Sequence, residues 1–257
     1  MNLLRVWTIA SNGFREVIRD RLLYVIGFFS ILLVLASRLL PQISVGADGK
    51  IFLDLGLALT ALLGAIVAIF VGTSLINKEI EKKTVLVLIP KPLSRAEFIV
   101  GKHLGLTAVL AVLIGLMTFI FWILVLAAKI PFSLNHLLIV QGFLLIELSL
   151  LIAVTIAFGV FTSSILATLL SFGVYLMGHV STDLLKLGAL TKNGNIEAIT
   201  QTIYLFLPDL ERLNLRNDAI YGILPSSGAL WAAAFYGILY TMVLLLIAIA
   251  IFSRRQF

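Results

Sequence analysis

Glu147 is a lone carboxylate in "FLLIELSLLIAV", residues 143–154, where Ser149 is the only other polar side chain. A charge in such a run is costly, so the group must face protein or a cavity, or hold a proton. Three roles are open to it: tying helices together through Ser or Thr, lining a substrate path, or relaying a proton. A relay needs a second buried acid or base, and the sequence places none beside it. His103, His136 and His179 fall in three separate regions, and there is no cysteine. That is not metal-ligand spacing. His179, near the end of an apolar run, reads as an interface residue before a ligand. A stand-alone membrane enzyme would need convergent His, acid or Ser–base groups, and this pattern argues against one. Gly49-Lys50 and Gly101-Lys102 are the only Gly-Lys pairs. Neither has the upstream Gly or the following Ser/Thr with which a P-loop cradles phosphate.

The densest charge lies in "KEIEKKTVLVLIPKPLSRAEFIVGKH", residues 78–103, where ten residues are Lys, Arg, Glu or His. Lys78 to Lys83 continues a helix out of the preceding apolar run. "TVLVLI", residues 84–89, is apolar but too short to span. Pro90 and Pro92 stop any helix there, because each lacks an amide hydrogen and constrains its predecessor. Ser94 with Glu97 three residues on is a capping-box pattern. A new helix is expected from Ser94, with a bend near Gly101 or Gly105. Apolar side chains exposed beside Lys and Glu suit a partner contact. They also suit a loop resting on the inner leaflet with its lysines at the headgroups.

The elements that position these residues follow from composition. The chain has 257 residues, 61% hydrophobic and 12% charged, with a mean hydropathy of +1.12. Soluble domains are nearer half apolar and about a quarter charged. The pattern is that of an all-α polytopic membrane protein with six spans: Leu22–Leu40, Ile51–Ile76, Leu104–Ala128, Leu137–Phe161, Ile165–Val180 and Leu230–Phe252. About 20 residues cross the hydrocarbon core, so the fifth is the shortest. Ser163-Ser164 is a very tight turn. A five-span form with a broken hairpin is the alternative, and six is preferred. With the N-terminus inside, twelve of the 19 Lys and Arg fall on the inner side, which puts both termini in the cytoplasm. The formal net charge of +6 is then a topology signal. Nucleic-acid binding would want a basic stripe on a presenting fold.

Leu3, Leu4, Trp7, Ala10, Phe14, Val17 and Ile18 recur at helical spacing, opposite Ser11, Asn12, Arg15, Glu16 and Arg19. They predict an amphipathic helix lying in the inner interface, not a cleavable signal. Residues 181–229 form the longest external stretch. Two short helices are expected there, with Asp209 capping one that begins at Leu210, and Ser226 or Ser227 capping the sixth span. Gly105, Gly115, Gly142, Gly159, Gly173 and Gly178 permit close helix contacts.

Residues 77–106, "NKEIEKKTVLVLIPKPLSRAEFIVGKHLGL", resemble the hallmark region of ABC-2 type transporter permeases. The resemblance lies in Glu79 or Glu81, Thr84, Leu86 and Leu88, Pro92, Ser94-Arg95, Glu97 and Gly101-Lys102. Here one residue separates Pro92 from Ser94. The layout of the whole chain is similar too. The resemblance implies one permease domain over 1–257, with an elbow helix in 1–21, a cytoplasmic coupling helix in 77–103 and short external helices in 181–229. It further implies two ATP-binding subunits docked on Glu79, Glu81, Thr84, Leu86, Leu88, Pro92, Ser94, Arg95 and Glu97, a second permease subunit as a homodimer, and outward transport. ATP and Mg belong to the partner, with no cofactor in this chain. A bacterial inner membrane and contact with membrane lipids, not nucleic acid, complete the implied setting. A non-transporting scaffold is the alternative function. The apolar path leans toward a lipid-like or amphipathic cargo.

Overall fold

The computed structural model describes residues 3–18, 22–43, 48–81, 94–191 and 194–254. Its helices are α1 (Leu3–Ile18), α2 (Leu22–Ile43), α3 (Asp48–Glu81), α4 (Arg95–Ala127), α5 (Leu134–Phe161), α6 (Ser164–Leu190), α7 (Gly194–Phe206), α8 (Arg216–Tyr221) and α9 (Ser227–Arg254), with a 3₁₀ turn at Glu211–Leu213 before α8. Among the described residues, six helices are long and apolar enough to cross a membrane: α2 to α6 and α9. The six-span, all-α reading holds, and Ser163 separates α5 from α6 as two helices. The expected lengths need one correction. The span Ser164–Leu190 has 27 residues, and Leu23–Gln42, with 20, is the shortest. Hydropathy falls after Val180, but the helix continues because Ser181 is buried and bonds back to the Gly178 carbonyl.

Helix ends follow local chemistry. At the start of α4 the Ser94 hydroxyl accepts the Glu97 amide at 3.1 Å. The Glu97 carboxylate accepts the Ser94 amide at 3.0 Å. This is the expected capping box. Its other end closes in "AAKIP". The Ile130 and Lys129 amides reach back to the carbonyls of Val125 and Leu126, each at 3.1 Å. Lys129 takes φ 55° to allow it, a left-handed position usually given to glycine.

Packing sorts the spans. α3, α4 and α5 form the interior, while α2, α6 and α9 keep much of their surface outward. Lipid tails are as apolar as leucine, so association depends on close fit. α3 supplies that fit with Gly56, Gly64 and Gly72, which receive Phe121 of α4, then Leu148 and Thr155 of α5. Eight residues advance a helix face by about 80°, which carries the stripe from one neighbour to the next. Gly105 and Gly178 also sit at close contacts, but Gly115, Gly142 and Gly173 meet nothing within 4 Å. Spacing alone does not distinguish the two kinds.

α1 lies along α4 and buries Val6, Ala10, Gly13 and Val17. A Cβ on Gly105 would come within 2.6 Å of the Ala10 carbonyl oxygen, and one on Gly101 within 2.8 Å of Ile9. These two glycines admit a neighbouring helix, while α4 runs on as one helix through both. The expected apolar stripe is therefore split. Ala10 and Val17 pack inward, while Leu3, Leu4 and Trp7 are exposed, because the small residues allow the closer approach.

Gly105→Ala should destabilise the protein by about 1–3 kcal/mol through overpacking. Gly115→Ala, in open space, should be neutral or gain up to about 1 kcal/mol. Melting temperatures in nanodiscs would compare them, and equal effects would refute the packing role of Gly105.

Candidate functional site

Polar groups gather at three levels of the bundle. At one end, the α9 C-terminus leaves carbonyls without helical partners. The Arg95 guanidinium donates to two of them, Phe252 at 2.8 Å and Ser253. A cation there also complements the helix dipole. Phe98 stacks on Phe252 with centroids 5.7 Å apart. The Lys102 ammonium lies 5.9 Å from the centre of the Phe98 ring. The first turns of α4 thus bind α9 through Arg95 and Phe98, and α1 through Gly101 and Gly105. Ser94, Arg95 and Glu97 come together here, their polar groups engaged within the chain. Glu79 and Glu81 lie in the last turn of α3, with side chains outside the described set. Thr84, Leu86, Leu88 and Pro92 lie outside the described residues.

Between α4, α5 and α9 runs a groove of about 590 Å³, lined by leucine, isoleucine, valine and methionine with a few polar groups. Its polar floor joins His103 and Thr107 to Ser149, which the sequence leaves in a separate region. His103 is buried within α4. Its Nε2 lies 3.0 Å from the Ser149 carbonyl oxygen and 3.3 Å from Ser149 Oγ. A carbonyl only accepts, so Nε2 carries hydrogen. Thr107 Oγ1 adds a contact to Ser149 Oγ at 3.4 Å.

Deeper in, Glu147 is not alone. His179 of α6 places Nε2 3.3 Å from Glu147 Oε1. His179 therefore faces the bundle instead of an interface, and the second titratable group that the sequence did not show is present. The two residues lie on different helices, so no spacing rule could pair them. Tyr175 packs edge-on to His179, with centroids 4.7 Å apart.

At the other end, residues 191–226 form a connector between α6 and α9. Asp209 holds it. Arg212 Nε donates to Asp209 Oδ2 at 2.8 Å and Tyr204 Oη donates to the same oxygen at 3.3 Å. Thr182 and Ser181 donate from α6 at 3.4 and 3.5 Å. The Asp209 amide donates to Tyr236 Oη of α9 at 2.8 Å, and Tyr240 Oη donates to the Phe206 carbonyl at 2.9 Å. The Leu210 amide reaches the Gly178 carbonyl at 3.1 Å. Bonds from Asp209, then Tyr204, hold the Arg212 guanidinium above its ordinary pKa range. The expected cap is thus corrected. The turn begins with Leu210 at its N-cap position and no side-chain cap bond. Asp209 instead gathers several donors, because a buried carboxylate needs more than one.

No group of three or more His, Asp or Glu among the described residues is placed to hold a metal. Six apolar helices, buried polar couples and a clasped connector are those of a polytopic membrane protein. The model of the ABC-2 family transporter protein family matches residues 7–257, and the chain belongs to that family as a membrane permease subunit. Comparison with curated proteins returned no match.

Asp209→Ala should cost about 1.5–3 kcal/mol, the range for hydrogen bonds to a charged group. Amide exchange across 194–221 should rise with it. Tyr236→Phe should cost about 0.5–1.5 kcal/mol. Exchange mass spectrometry with unchanged connector protection in both variants would refute the clasp.

Proposed function

We propose that this permease is the membrane half of an ATP-driven exporter. Two copies of the chain pair as a homodimer, and two ATP-binding subunits, which hold ATP and Mg, dock on them. Residues 1–257 act as one domain: 1–21 an interfacial elbow, 77–103 the cytoplasmic coupling region and 181–229 the external segment. The protein sits in the cell inner membrane among lipids, with both termini in the cytoplasm, an orientation supported by the basic residues.

The ATPase meets Glu79, Glu81, Thr84, Leu86, Leu88 and Pro92, and Ser94, Arg95 and Glu97 pass the motion on. The observation that carries this reading is the junction at the start of α4. The segment joining α3 to α4 is followed at once by the Ser94–Glu97 box. Arg95 then grips the end of α9, and Gly101 and Gly105 seat α1. From Ser94 onward, a push would be passed by α4 to α9 and α1 through these contacts. Glu147 serves helix packing or lines the path. The apolar groove with its His103–Ser149 floor suits an amphipathic cargo.

Purification from the native host in mild detergent should recover an ATP-binding subunit in about a one-to-one ratio with this chain. Leu86→Asp, Glu79→Lys or Glu81→Lys should cut that recovery at least about tenfold, a change of about 1.4 kcal/mol, while the chain still inserts. Arg95→Ala should keep the complex and lower turnover. An intact complex with normal turnover in the Leu86, Glu79 and Glu81 variants would defeat the coupling assignment.

A further inference from the structure

We infer that Glu147 and His179, with Gln141 and the cavity beside them, form a proton-binding site supplied with water from the connector side of the bundle. Hydrogen placement makes the argument. His179 Nδ1 lies 3.0 Å from the Tyr175 carbonyl oxygen. That oxygen can only accept, so Nδ1 carries hydrogen. The other ring nitrogen faces Glu147 Oε1 at 3.3 Å. Without a further proton, a nitrogen lone pair would face a carboxylate oxygen, two acceptors in a place without bulk water. One shared proton resolves it, as an imidazolium beside a carboxylate or as a carboxylic acid donating to a neutral ring. Only a proton moves, from water to the couple and back.

Glu147 is 3% exposed and Gln141 6% exposed. Neither polar atom of the Gln141 amide has a protein partner, and Glu147 Oε1 has none besides the His179 contact. Both residues line one small cavity with Asn214 and Arg216, and those two are only half-buried. A buried amide left unpaired is costly, and water is the ordinary way such a group is satisfied. The cavity has about 10 Å³, room for about one water, and sets Glu147 and Gln141, about 9 Å apart by helix rise, beside the connector residues Asn214 and Arg216.

The charges around the couple come from each neighbouring element. Tyr175 lies one turn away on α6, Glu211 acts on His179 from the 3₁₀ turn, and Arg216 acts on Tyr175 from α8. Arg212 is tied to Asp209. Tyr236 of α9 is occupied by the Asp209 amide, and Tyr240 by the Phe206 carbonyl. Asp54 of α3 is exposed. The proton site does not rest on the coupling reading and would stand if that reading failed.

The test uses the full chain in lipid nanodiscs with ¹⁵N-labelled histidine rings, His179→Gln assigning the signal. The His179 signal is expected to titrate reversibly with pH. Glu147→Gln should move its midpoint by at least about tenfold in proton concentration. Gln141→Leu should slow exchange of its ring hydrogens with water at least about tenfold. A signal that ignores pH, or a midpoint unmoved in Glu147→Gln, overturns the proton site. Unchanged ring exchange in Gln141→Leu overturns the water link. Should Glu147→Gln not assemble, dye-monitored proton uptake decides: His179→Gln should take up about one proton fewer per chain, and equal uptake refutes the site.

Discussion

Hydrocarbon neither rewards the burial of leucine nor satisfies a polar group, and both halves of that constraint shape this permease. Helices that gain nothing from hiding apolar surface must meet through shape. α3 does so with Gly56, Gly64 and Gly72, and α4 does so with Gly101 and Gly105 against α1. Polar groups without water must find each other across helices. His103 finds Ser149, His179 finds Glu147, and Asp209 gathers donors from α6 and the connector.

These contacts fasten the bundle at two ends. At one end the start of α4 grips α9 and α1. At the other, Asp209, Tyr236 and Tyr240 fasten the connector to α6 and α9. Beside the connector end lie the Gln141 amide, with no partner in the protein, and the Glu147–His179 couple.

Much of the fold was legible in the chain because it is written locally. Ser94 and Glu97 cap a helix by their own short reach, and they do so here as the spacing says. The break at Ser163 and the starts of the spans follow hydropathy and turn residues in the same way. The end of α6 was not legible, because polar Ser181 and Thr182 look like a helix leaving the membrane until Asp209 arrives to accept from both. Asp209 itself looked like a cap for the same reason: its partners are scattered over four elements, α6, α7, the 3₁₀ turn and α9. The pairing of His103 with Ser149 was not legible because the two lie 46 residues apart on different helices.

The sequence by itself determined that this is a six-span helical membrane protein with a charged, proline-marked link between its second and third spans. Hydropathy, capping and proline act over a few residues, so they need no partner to be read. Only the tertiary structure decided which glycines are packed and which idle, what Glu147 faces, and how the first turn of α4 takes hold of α9. Those facts depend on which helix faces meet. Between apolar helices of nearly uniform composition, that choice is made by side-chain shape and by a few scattered polar groups, so it appears only when all the helices are in place.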